Sequence, residues 1–327
     1  MTRWRGWLEP AAWLLATGLL VFLATRVDLA RVWLTFQSAH WGWSTLAVAC
    51  FIGIQPLGSL QWRALLPVGA TLGFRRLFRI WTLTSIANNT TTSLVGHLTG
   101  LAMLGAEPSL GRVPALSVLA LDQVAVGLTK VAVLAVAAWI APLPDWMFRG
   151  TSVLATTVLV LVVVVTAASW HYARIGAWAS APHEGRLTRR IAPVVAAWTA
   201  GLDALRSPGR FATALGFAVA IRLAELAAIV CVQFAFGLEA SLTNGVLVLA
   251  ATSLASFVMF VPANIGTYEA ATFAAYRLIG IPAETALGLA LVQHACQLLP
   301  AVGVGYGVLT VERLRGTRVD AAETQRP

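Results

Sequence analysis

Seven ionisable side chains lie in or beside stretches otherwise suited to hydrocarbon: His97, Asp122, Lys130, Arg222, Glu225, Glu269 and His294. A charge held at the centre of a bilayer costs about 2.5–3.5 kcal/mol even on permissive scales, so such residues face a protein interior or a cavity. The chemistry open to them is the binding of a polar or charged group where lipid cannot reach. Lys130, the only lysine in the chain, sits mid-run in "GLTKVAVL", and Asp122 precedes it by eight residues. On one helix that is roughly 12 Å, so the two cannot pair directly and each requires another partner. Arg222 and Glu225, three residues apart, read as an ion pair on one helix face. His97 and His294 fit either satisfied core histidines or cavity groups. Glu269 fits either a helix cap or a ligand-binding carboxylate.

Two polar interruptions must position these groups. In "NNTTTSLVGHLTG", residues 88–100, Asn88, Asn89 and Ser93 belong to a hydroxyl- and amide-rich run that no lipid-facing surface tolerates. Gly96 is expected to make the turn there, with His97 directly after it. In "FVMFVPANIGTYEAATFAAY", residues 257–276, Pro262 is expected to end an incoming half-helix and Gly266 to permit the reversal. Asn264 lies in the turn, and the outgoing half-helix begins near Thr267, followed by Tyr268 and Glu269. Its unbonded N–H groups suit an anion such as a phosphate.

The surrounding chain is 327 residues long, 58% hydrophobic and 11% charged, with mean hydropathy +0.77; soluble domains carry about a quarter charged residues. Runs near the ~20 residues needed to cross a bilayer fall at 11–27, 42–60, 113–140, 151–170, 211–238 and 283–311. The first run has no clear cleavage site and is expected to be a retained helix. The fold class is therefore an all-α polytopic membrane protein. The net charge of +9 fits cytoplasmic loops facing anionic headgroups rather than nucleic acid.

Basic residues cluster at Arg3 and Arg5, at Arg63, Arg75, Arg76 and Arg79, through the 170–210 linker (Arg174, Arg186, Arg189, Arg190, Arg206, Arg210), and at Arg313, Arg315 and Arg318. All four groups fall on the cytoplasmic side only if 80–104 enters and leaves on that side and 245–280 does the same from outside. The expectation is about six full transmembrane helices plus two re-entrant hairpins, with both termini cytoplasmic in the cell membrane. Trp41, Trp43, Trp62, Trp139, Trp146 and Trp170 sit at expected helix ends, as an interfacial belt would.

A weak internal repeat supports the same scheme. "TSIANN" from Thr84 and "TSLASF" from Thr252 are 168 residues apart, and the offset also pairs Thr99 with Thr267 and Pro114-Ala115 with Pro282-Ala283. With hairpins entering from opposite sides, this is an inverted-topology repeat, as transporters use. The expected organisation is an N-terminal half over 1–169 (hairpin 80–104, helices 113–141 and 151–169) and a basic amphipathic linker over 170–210. A C-terminal half then spans 211–312 (helix 211–238, hairpin 245–280, helix 283–312), before a disordered tail over 313–327.

Cys50, Cys231 and Cys296 lie in apolar runs without metal-ligand spacing and read as inert core residues, with no metal or cofactor expected. No G-x-x-x-x-G-K-[ST], H-E-x-x-H or G-x-S-x-G occurs, so neither ATP hydrolysis nor enzymic catalysis is expected.

The residues of "LQWRALLPVGATLGFRRLF" and "VPANIGTYEAATFAAYRLIGIPAETALGLALVQHACQLLP" resemble the flippase-like integral membrane family. That family includes the membrane portion of lysylphosphatidylglycerol synthases and stand-alone relatives. Pro262, Gly266, Glu269, Gly280 and Ala286 fill the places of its C-terminal signature, and the resemblance covers roughly 10–312. The family's Pro, acid and Arg are missing from the first hairpin; Asp122-Gln123 stands where an acid-Arg pair often occurs, and His294 where an Arg does. An aminoacyl-transferase domain, and with it the aminoacylating chemistry of the larger relatives, is not expected. The resemblance implies translocation of a lipid or lipid-linked headgroup between leaflets, the partners being a phospholipid, a polyprenyl-linked lipid or a hopanoid-type lipid. Lipid-modifying enzymes or a second copy of the chain are further partners consistent with it. The alternatives are a non-catalytic accessory subunit of a lipid-modifying pathway and an intramembrane lipid transferase using His97, Asp122 and Glu269.

Overall fold

A computed structural model describes residues 5–141, 143–171, 207–239, 241–258 and 260–324, with isolated positions between 174 and 195. Among them are eleven α-helices and one 3-10 turn, with no strand. Most of the basic 170–210 linker lies outside the described residues.

The helices are α1 (Arg5–Ala24), α2 (Leu29–Gln37), α3 (Trp41–Leu65), α4 (Phe74–Thr90), α5 (Ser93–Gly105), α6 (Arg112–Ile140) and α7 (Asp145–Trp170). They continue with α8 (Pro208–Ala235), α9 (Leu242–Ala255), α10 (Thr267–Leu278) and α11 (Ala283–Thr324), the 3-10 turn Pro262–Asn264 preceding α10. Five are long and apolar enough to cross a membrane: α3, α6, α7, and the segments Gly209–Ala235 and Ala283–Val311 of α8 and α11. At 20 residues, α1 has the ~30 Å length for a sixth crossing. The chain is a polytopic helical membrane protein.

Besides the 9-residue α2, four helices are too short to cross a hydrocarbon core of ~30 Å unaided: α4 has 17 residues, α5 has 13, α9 has 14 and α10 has 12. They occur as two consecutive pairs. The α4–α5 reversal is at Thr91-Thr92 rather than at Gly96. Thr92 caps α5, its hydroxyl accepting the Val95 N–H at 3.4 Å, so no left-handed residue is required. Gly96 lies inside α5, where an added Cβ would stand 2.6 Å from Asn88 Cβ. Its small size lets the two helices close on each other.

The second pair turns differently. The incoming helix stops at Ala255, seven residues before Pro262, which instead opens the 3-10 turn. Reversal then uses left-handed backbone at Ala263 (φ 51°), Asn264 (φ 56°) and Gly266 (φ 85°). Two non-glycine residues in that region cost of order 1–3 kcal/mol each and persist only where the surroundings hold them.

The 27–41 segment between the first two apolar runs contains α2, capped by Asp28, whose Oδ1 accepts the Ala30 N–H at 2.9 Å. Two further expectations change. The last helix continues to Thr324 where a disordered tail was expected from 313; the sequence there has Ala, Glu and Arg and no proline to stop it. Trp62 is no member of the interfacial belt. It is buried, edge-on to Trp81 at 4.9 Å, because it caps the interface of α3 with α4, whereas Trp139 and Trp170 are 88% and 84% exposed at helix ends.

At the centre, α3 and α8 pack antiparallel. The His40 N–H, just before α3, donates to Ala235 O at the end of α8 at 2.7 Å. At the opposite end the Arg210 guanidinium donates to Leu66 O. Around this pair α6, α9, α10 and α11 build the apolar core that includes Phe51, Leu134, Ile229, Leu249 and Tyr276.

Candidate functional site

The tips of the two short-helix pairs meet: the Ala263 N–H donates to Thr91 O at 2.7 Å. Beside this junction three polar compartments follow one another, of about 100, 260 and 180 Å³. The first and second share Lys130, Ser256, Asn264 and Gln297. The second and third share Asn88, His97, Gln123 and Val126. Together they form one polar chamber lined chiefly by α4, α5, α6, α7, α8 and α9, with Gln297 of α11 completing the wall.

At one end Arg222 and Glu225 pair at 2.5 Å and line the wall with Tyr268. Because they neutralise each other, Lys130 is the uncompensated cation of that compartment. Its Nζ donates to Ser256 Oγ at 2.7 Å, and Ser256 Oγ donates to Ser253 O at 2.8 Å. Among the described residues no carboxylate lies within ion-pair distance of Lys130. Asn264 Oδ1 in the same compartment is buried without a hydrogen-bond donor among the described residues. A buried lone carbonyl of this kind costs roughly 1–3 kcal/mol.

At the far end Asp122 is buried and accepts from two amides, Gln61 Nε2 at 2.7 Å and Gln123 Nε2 at 3.2 Å. His97 Nδ1 lies 2.6 Å from Ser93 O. A carbonyl only accepts, so Nδ1 carries a proton and donates to it. Asp122 and Lys130 have separate partners, as their spacing requires.

The sequence-selected residues fall into two groups. Asn88, Ser93, Gly96, His97, Asp122, Lys130, Asn264 and Tyr268 line the chamber. The others shape its surroundings. Asn89 folds back to donate to Ser85 O at 2.8 Å, Thr267 Oγ1 donates to Asn264 O at 2.9 Å, and Pro262 and Gly266 form the turn. Glu269 Oε2 accepts the Gly266 N–H at 2.6 Å, capping α10, while its Oε1 meets His294 Nδ1 at 2.7 Å. The sequence reading did not select Gln61, Gln123, Ser256 or Gln297. Each is a polar residue inside an apolar run, the same signal that singled out Asp122 and Lys130, without the charge that makes it conspicuous.

Neither curated proteins nor solved structures contain a match to this chain. The family model of the lysylphosphatidylglycerol synthase transmembrane region matches residues 11–305, and the chain belongs to that family.

Proposed function

We propose that the chain moves the headgroup of a phosphate-bearing lipid between leaflets through the polar chamber while the acyl tails stay in the bilayer. The observation that carries this reading is Lys130: an uncompensated cation, among hydroxyls and amides, inside a membrane-spanning helix. Placing it there costs free energy that structure alone does not recover. An anionic group arriving from either leaflet supplies the missing partner, and phosphate is the anion that membrane lipids carry.

The architecture supports passage from both sides. Shifting α3 to α6 by 168 residues brings them onto α8 to α11, a long helix, two short ones and a long one in each half. The equivalent helices α3 and α8 run antiparallel, which supports reading the halves as an inverted repeat with short pairs entering from opposite leaflets.

The test uses proteoliposomes carrying fluorescent phospholipids and a membrane-impermeant quencher. Wild-type protein raises the fraction of lipid accessible from outside, and Lys130→Met lowers the rate about tenfold or more, matching loss of one charge-assisted hydrogen bond of ~1.5–3 kcal/mol. Identical accessibility with and without protein would remove the proposal.

A further inference from the structure

We propose that Glu269 and His294 form a proton-binding site that latches the tips of the two short-helix pairs together, so that parting of the tips and release of a proton are one step. The hydrogen bonds require the proton. His294 Nε2 faces Ala263 O at 3.1 Å, and Nδ1 faces Glu269 Oε1 at 2.7 Å. A carbonyl oxygen accepts only, so Nε2 is an N–H donor. The 2.7 Å contact at Nδ1 then needs a second proton, on the imidazole or on the carboxyl. Glu269 Oε2 is engaged by the Gly266 N–H at 2.6 Å. The pair therefore holds one proton more than a neutral histidine beside a carboxylate.

That proton decides whether the junction holds. Ala263, in left-handed backbone at φ 51°, is pinned on both sides of its residue: its N–H by Thr91 O at 2.7 Å and its C=O by His294. If the proton leaves, histidine keeps a single N–H, and the carboxylate at Nδ1 is the stronger acceptor for it. Nε2 then turns a lone pair on Ala263 O. Two acceptors face each other in a buried site, the pin becomes repulsive, and the strained turn loses what holds it.

Other titratable groups face this pair from the packed elements. From α10 come Tyr268, stacked on His294 at 4.4 Å, and Tyr276, whose hydroxyl donates to Gln293 Oε1 at 3.0 Å while Gln293 Nε2 donates to Tyr268 Oη at 2.8 Å. Across the compartment that Tyr268 lines stand Glu225 and Arg222 of α8 and Lys130 of α6. The described side chains of α1, and α9, contribute none. Arg222 and Glu225 already pair with each other, and neither tyrosine can supply a second acceptor–donor exchange at Ala263. As the coupling ion of the lipid movement proposed above, and resting on that reading for this role alone, the proton would give the cycle its driving force.

The test is a distance measurement between spin labels on Val95→Cys and Phe260→Cys, both exposed beside the tips, with Cys50, Cys231 and Cys296 replaced by alanine, in phosphatidylglycerol–phosphatidylethanolamine nanodiscs. As the pH is raised from about 5 to about 9, a short distance gives way to a longer one. Linkage to one proton changes the ratio of the two populations about tenfold per pH unit in the steep region. Glu269→Gln keeps the short distance throughout: its carboxamide N–H serves His294 Nδ1, its oxygen serves Gly266, and there is no proton to lose. His294→Ala shows the long distance throughout. A wild-type distance indifferent to pH overturns the proposal without recourse to any variant, as does an unchanged pH response in Glu269→Gln. The lipid assay on the same samples separates the two readings. Distances that follow pH without lipid movement refute the transport reading alone, and lipid movement with pH-indifferent distances refutes the proton site alone.

Discussion

Lys130 and Asp122 share a helix but answer to different partners, and their substitutions separate accordingly. Replacing Lys130 by methionine removes a buried charge while keeping most of the volume. Unfolding stability is therefore expected to be unchanged or higher by up to about 1–4 kcal/mol, even as lipid movement falls; thermal melting in one detergent checks this. Asp122→Ala leaves the Gln61 and Gln123 amides without their shared acceptor and should cost about 1–3 kcal/mol per stranded donor. Asp122→Asn should cost under about 1 kcal/mol. Gln61 Oε1 is buried without a partner among the described residues, so that amide can flip and accept from the asparagine. Equal melting temperatures for the two variants would contradict this account of the carboxylate.

Glycine enters the first short-helix pair for closeness rather than for conformational freedom. Gly96→Ala places a methyl 2.6 Å from Asn88 Cβ, against backbone as well as side chain, and should destabilise by about 1–3 kcal/mol. Gly100→Ala meets only side chains, Thr84 Cγ2 and the Trp62 ring, at 3.1 Å, and should cost less; chemical or thermal unfolding of the two variants ranks them. The turn of the second pair takes the opposite course, with left-handed Ala263 and Asn264 held by long-range contacts. From the sequence, Pro262 was expected to end an incoming half-helix and Gly96 to make a turn. One opens a 3-10 turn and the other is a packing surface, because proline and glycine each serve several backbone needs and only the neighbouring helix selects among them.

For the molecule as a whole, the short pairs imply a sidedness that labelling can read. The loops at Val68 and Ser109 are joined across the α4–α5 pair by Arg76 Nε donating to Glu107 Oε1 at 2.7 Å. Single cysteines at Val68 and Ser109 should therefore react with an impermeant reagent from one side of a sealed vesicle, and one at Asp145, beyond α6, from the other. Labelling of Val68 and Ser109 from opposite sides would make α4–α5 a crossing and end the re-entrant reading. The sequence by itself determined the long apolar helices, the two polar breaks and the residues that could not face lipid. A bilayer imposes length and apolarity segment by segment, and those are local properties of a chain. Only the tertiary structure decided which polar groups meet: Lys130 with Ser256, 126 residues away, Gln61 with Asp122, and His294 with both Glu269 and Ala263. In water the buried face of a helix is marked by its apolar stripe. In a membrane the face toward lipid is apolar as well, so periodicity carries no orientation, and the partners of each buried polar group are settled by packing alone.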